Sequence, residues 1–205
     1  MNEALHKLCT AFDGPFHLTS GSLRDVALAV KGAIQNGAAG PVLIFDDGTG
    51  EVIDLDLRGT GQEPLARLAQ ADPATSEQTM APRGPGRPRL GVVAREVTLL
   101  PRHWAWLGAQ PGGASVALRK LVEEARRSNA GRDRQREAQE AAYRFMAAMA
   151  GDLPGFEEAA RALFANDRQR FGQHIAAWPH DISTYVAKLA FGDDGQDATA
   201  GDGHD

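Results

Sequence analysis

The chain has 205 residues, 42% hydrophobic and 24% charged, enough for one full domain or two small ones with a short tail. No apolar run approaches the roughly 18 residues that cross a bilayer, MNEALHKLCTAFDG lacks the charged-then-apolar order of a signal peptide, and a single cysteine, Cys9, leaves no internal disulfide, so a cytoplasmic protein off the membrane is expected. The net charge of −5 hides a segregation of sign: from Arg83 to Arg136 twelve Lys/Arg stand against four Asp/Glu, a balance of +8, while the remainder carries −13.

In chain order, Leu8 to Phe12 and Phe16 to Thr19 are short strand candidates around the turn Asp13-Gly14-Pro15. Cys9 in the first of them reads as a small buried hydrophobe rather than a reactive thiol. Ser22 is a good N-cap with Asp25 three residues on, and Leu23, Val26, Ala27, Val30 and Ile34 follow at helical spacing up to Gly37. The apolar run Pro41 to Phe45 predicts a strand, Asp46-Asp47-Gly48 a turn, and the alternation of Ile53, Leu55 and Leu57 with Asp54, Asp56 and Arg58 a fourth strand. Residues 1–59 therefore read as a ββαββ domain with one helix on a small sheet. Residues 60–91 read as a linker, rich in proline from Asp72 onward.

Arg95 to Pro101 reads as a strand that stops at proline. Pro101 opens a helix carrying Trp104 and Leu107, Gly112-Gly113 break it, and Ser115 caps a second helix with Leu118, Leu121, Val122 and Ala125 on one side. Trp104 and Trp106 point about 200° apart on the first helix, so one is expected in the core and the other outside. This strand-helix-helix order over residues 92–127 resembles the ribbon-helix-helix superfamily of small repressors and antitoxins. The resemblance implies a homodimer whose paired strands enter the major groove, and a second helix whose N-terminal amides and Ser115 hold a phosphate. One strand register turns Thr98 outward beside Glu96; the other turns Arg95 outward. Arg119 and Lys120 extend the positive charge along the second helix.

Upstream, Gly86-Arg87-Pro88-Arg89 resembles an AT-hook, which implies that Arg83, Arg87 and Arg89 lie along a narrow minor groove; a basic proline-rich linker is the plainer reading. From residue 132 to 191 the pattern is helical. One stripe holds Ala138, Ala141, Ala142, Phe145 and Met149, and the next holds Phe156, Ala160 and Leu163. Phe171, Ile175 and Trp178 mark a third helix, and Ile182, Tyr185, Val186 and Leu189 a fourth. Residues 192–205, with five aspartates and no large apolar residue, read as a disordered acidic tail. The fold class expected is α+β.

The stretches LIFDDGTGEVIDLDLRG, GRPRLGVVAREVTLLPRHWAWL, QPGGAS and AAYRFMAAMAGDLPGFEEA resemble an uncharacterised bacterial family known only as a domain of unknown function, over nearly all of residues 8 to 190. That family implies no activity. Asp46, Asp47, Asp54 and Asp56 lack EF-hand spacing, the six histidines lack metal-ligand spacing, and no nucleophile elbow or P-loop occurs, so no metal, cofactor or catalysis is expected. The function expected is DNA binding, as in a transcriptional regulator, through Arg83, Arg87, Arg89, Arg95, Thr98, Ser115, Arg119 and Lys120. The alternative is a non-catalytic interaction or dimerisation module.

Overall fold

The computed structural model describes residues 6–55, 93 and 95–192. Strand β1 (Leu8–Asp13) is the centre of a three-stranded antiparallel sheet, between β2 (Phe16–Ser22) and β3 (Val42–Asp46). Its pairing with β2 runs from Leu8↔Ser22 to Asp13↔Phe16, with an irregularity between Ala11 and Phe12; its pairing with β3 runs from Cys9↔Asp46 to Asp13↔Val42. A central strand buries both of its faces, and Cys9, Thr10, Ala11 and Phe12 are all buried.

Helix α1 (Leu23–Gln35) covers one face. Ser22 accepts from the Asp25 amide and donates to its carboxylate at 2.6 Å, which satisfies an orphan donor of the first turn. Leu23, Val26 and Val30 then meet Cys9, Ala11 and Ile44 in a small core. The other face is covered from the far end of the chain. Phe12 and Phe45 pack with Phe145, Met146, Leu163, Phe171, Ile182, Tyr185 and Val186 in the larger core. Phe145 sits 4.8 Å from the Phe45 ring and 4.7 Å from that of Tyr185, both edge-on. Each such fully buried aromatic contributes about 1.5–3 kcal/mol of transfer free energy.

The helices that supply this second layer are the C-terminal half of α3 (Gly113–Met149), then α4 (Phe156–Phe164), α5 (Arg168–Ile175) and α6 (His180–Phe191); α2 (Pro101–Gly108) precedes them. Asp167 caps α5 by accepting from the Arg170 amide, and Trp178 Nε1 donates to the Pro154 carbonyl at 2.9 Å. The Gln139 amide donates to the Leu163 carbonyl at 2.8 Å, and Asp181 in the first turn of α6 accepts from the His17 amide at 2.8 Å. These bonds fasten α3 to α4 and α6 to β2.

The α+β class stands, with several corrections to the expected organisation. The N-terminal segment and the helical region 132–191 share one core rather than forming separate parts. The chain divides instead into one unit of residues 1–73 with 134–205, and a second of residues 74–133. The expected fourth strand is, among the described residues, a single bridge between Phe45 and Val52, with the Ile53 amide donating to Ile44 at 2.7 Å. Among the described residues Arg95–Leu100 pairs with no strand, so the expected strand of the ribbon-helix-helix-like unit is not formed there. The second helix of the ribbon-helix-helix-like unit does not end near residue 127; it continues as one 37-residue helix to Met149. The linker and arm of residues 60–91 and the tail 193–205 lie outside the described residues.

Candidate nucleic-acid interface

In the second unit, Pro101 occupies the first turn of α2, where its fixed φ suits the helix and its missing N–H costs nothing. Gly112 and Gly113, at φ +86° and +74°, turn the chain into α3 in a conformation that an L side chain resists. Ser115 therefore lies inside the first turn of α3 rather than at its cap, and its carbonyl accepts from Arg119 Nε at 3.1 Å. Among the described residues 93–133, Leu107 and Ala117 are the buried apolar side chains, and neither core cluster includes a residue of this stretch.

Trp104 and Trp106 are 43% and 53% exposed, so the expectation that one is core is corrected: Leu107 takes that place on the short helix. Arg95, Glu96, Val97 and Thr98 are all exposed, without the in-out alternation of a half-buried strand. On α3, every residue from Arg119 to Asn129 is exposed, three turns of helix with Leu121 and Val122 uncovered. These turns persist because they propagate from the packed half of the same helix, and because Glu123 pairs with Arg126 at 3.3 Å and Arg127 at 3.5 Å.

Of the sequence-predicted contacts, Arg95, Arg119 and Lys120 come together. They line one open groove of about 1190 Å³ with Arg126 and Arg127, over the apolar side chains of Val93, Val97, Leu118 and Val122. Glu123 and Glu124 are its acidic members. Thr98 and Ser115 are exposed but do not line the groove, and Arg83, Arg87 and Arg89 lie outside the described residues.

A second polar cluster, read from the sequence only as turn chemistry, lies in the first unit after β3. Asp46 is buried; it accepts from the Gly48 amide at 2.8 Å and the Thr49 hydroxyl at 3.0 Å, and pairs with Lys7. Burial pushes its carboxyl up, but the Lys7, Gly48 and Thr49 hydrogen bonds outweigh burial and hold it below the ordinary aspartate value. The Asp46 hydrogen bond in turn holds Lys7 above the ordinary lysine value. Tyr185 donates to Asp47 at 2.7 Å, and burial, then that bond, raises its phenol well above the ordinary value. Gly50, at φ +67°, lies so close to the α3 backbone that an added Cβ would sit 2.0 Å from the Ala141 carbonyl oxygen. Arg144 closes the contact by donating to the Thr49 carbonyl at 2.9 Å.

The cluster is thus the joint between β3 and the packed half of α3. The signal for it in the sequence was Tyr185, a polar end on an otherwise apolar helix face. Burial pushes the Cys9 thiol up to about 11, which leaves it protonated and inert at neutral pH. Among the described residues no group of three His, Cys, Asp or Glu side chains could hold a metal, and no helix is long and apolar enough to cross a membrane. Asp56 lies outside them.

Comparison with known proteins finds no match among curated proteins or solved structures. One protein family does match, over residues 8–190, which takes in both units and both cores. The chain belongs to this family, described as uncharacterised proteins conserved in bacteria (DUF2239).

Proposed function

We propose that the protein binds DNA as a homodimer through its second unit, as a regulator would, with the exposed basic stretch of α3 and the segment around Arg95 as the contact surface. The observation that carries this reading is the groove in which Arg95, Arg119, Lys120, Arg126 and Arg127 converge. Five cations against two carboxylates leave a surplus that phosphates can neutralise, and release of their counterions drives association. Phosphate contacts of this kind position a protein without reading sequence. Base readout would fall to Thr98 and Arg95 and to the arm with Arg83, Arg87 and Arg89.

Dimerisation is supported by a different observation. Val93, Val97, Leu100, Trp104, Trp106, Leu121 and Val122 are exposed, while Leu107 and Ala117 alone are buried among the apolar residues described there. A strand-helix-helix unit is too small to enclose a core by itself. A second copy supplies the missing half and gives Arg95–Leu100 a partner strand. The second reading, an interaction module that never meets DNA, is favoured by the two exposed tryptophans and by Glu123 and Glu124 in the groove.

The test is duplex binding by fluorescence anisotropy across a salt series. Removing two phosphate contacts in the Arg119→Ala, Lys120→Ala double variant should weaken binding and flatten log affinity against log salt by about two units. Undetectable affinity of the folded dimer for any duplex at low salt would leave the interaction module standing.

A further inference from the structure

We infer that the nucleic acid met by the second unit presents unpaired bases, and that Trp106 stacks on one of them while Arg102 takes an adjoining phosphate. The inference rests on the proposed binding of nucleic acid by that unit and names its kind.

Helix α2 carries both residues. Pro101 opens it, Leu107 is its buried side chain, and Gln110 Nε2 donates to the Trp106 carbonyl at 3.2 Å, which ties down its last turn. Trp104 lies about 60° from Leu107 around the helix axis, on the side a second copy would cover. Trp106 points about 200° away from Trp104, so one flat interface cannot take both rings. Trp106 is 53% exposed, whereas Trp178 in the first unit is 4% exposed with its Nε1 bonded to a carbonyl. An indole held outside the core presents a large apolar face to a partner at little cost in side-chain freedom.

Charge and ring together select the ligand. Arg102 stands one turn before Trp106, about 40° away around the axis, and is exposed beside His103. From Val97 to Val122 the sequence holds Arg102, Arg119 and Lys120 and no Asp or Glu, which favours a polyanion. A duplex offers such a surface its phosphates, but its base faces are stacked on one another and closed to an indole. A single strand offers both, phosphates for Arg102 and flat π faces for Trp106.

The full chain would be titrated, by fluorescence anisotropy in one buffer, with three labelled polymers of equal length, about 12 nucleotides. These are an oligothymidine strand, the same strand without bases, and a duplex. The thymidine strand should bind more tightly than either of the others. Trp106→Ala should weaken its binding about tenfold, with the salt dependence and the affinity for the abasic strand unchanged, and Trp106→Phe should keep most of it. Arg102→Ala should flatten log affinity against log salt for the strand by about 0.7 unit. Both alanine variants should keep the parent's melting temperature and oligomeric state. Equal affinity for the thymidine and abasic strands would overturn the inference. So would a change of oligomeric state in Trp106→Ala, which would place the ring in a protein interface. A duplex bound more tightly than the strand would overturn it and leave DNA binding by the second unit intact; no affinity for any of the three would remove both.

Discussion

Asp46 shows how a turn residue becomes a structural one. Sequence pattern identified Asp46-Asp47-Gly48 as a turn, correctly, because Asp and Gly make turns through local hydrogen bonds. It gave no warning that the carboxylate would be buried against Lys7, since that pairing depends on the register of β1 on β3, which sets Cys9 opposite Asp46 and Lys7 beside it. The pH consequence has a definite sign. A carboxyl held below its unfolded value contributes stability that is present above that value and lost as the pH falls through the folded one. Thermal melts should therefore show stability declining as the pH falls below about 4. Asp46→Asn should lose part of that acid dependence and about 1–3 kcal/mol at neutral pH, because Lys7 is left without its charged partner. An unchanged acid slope in the variant would remove Asp46 from this role.

At the scale of elements, the strands and α1 were legible because each announces itself locally: Ser22 and Asp25 at a cap, a continuous Val42–Phe45 run, helical spacing from Leu23 to Val30. From residue 154 onward the apolar stripes were legible but the ends only in part: α6 runs from Pro179 at its N-cap to Gly192 at its C-cap, whereas α5 stops at Ile175, short of Trp178, which the sequence had placed in that helix. Continuity of α3 was not. Ser128, Asn129 and Gly131 are weak helix formers with no apolar stripe, and only propagation from the packed half carries the helix through them. That same stretch gives the element-scale prediction. If a second copy covers the exposed Leu121 and Val122, the Leu121→Asp, Val122→Asp double variant should be a monomer by light scattering at micromolar concentration, where the parent is a dimer. Its sheet-and-helix unit should still melt cooperatively. A parent chain that is itself monomeric would contradict the dimer.

At the scale of the whole molecule, the largest discrepancy between sequence and structure is the partition of the chain. The N-terminal strands are too few to cover themselves, and the stretch Cys9 to Phe12, apolar but for Thr10 and buried on both faces, was the available sign that a second layer comes from elsewhere. Which elements supply it is non-local, and no pattern within residues 1–59 names Phe145 or Tyr185. The candidate site was legible to a similar degree. Charge segregation pointed to the basic middle of the chain, and Arg95, Arg119 and Lys120 do share one groove, whereas the exposure of both tryptophans and of three turns of α3 is a property of packing.

The most direct measurement of the central proposal is hydrogen exchange of the full chain with and without a DNA duplex at low salt. Binding through the second unit predicts added protection within residues 95–129, concentrated around Arg95 and from Ser115 to Arg127, with Leu8–Asp46 unchanged. Protection confined to the sheet and its covering helices, or no protection at duplex concentrations that saturate the anisotropy signal, would contradict it.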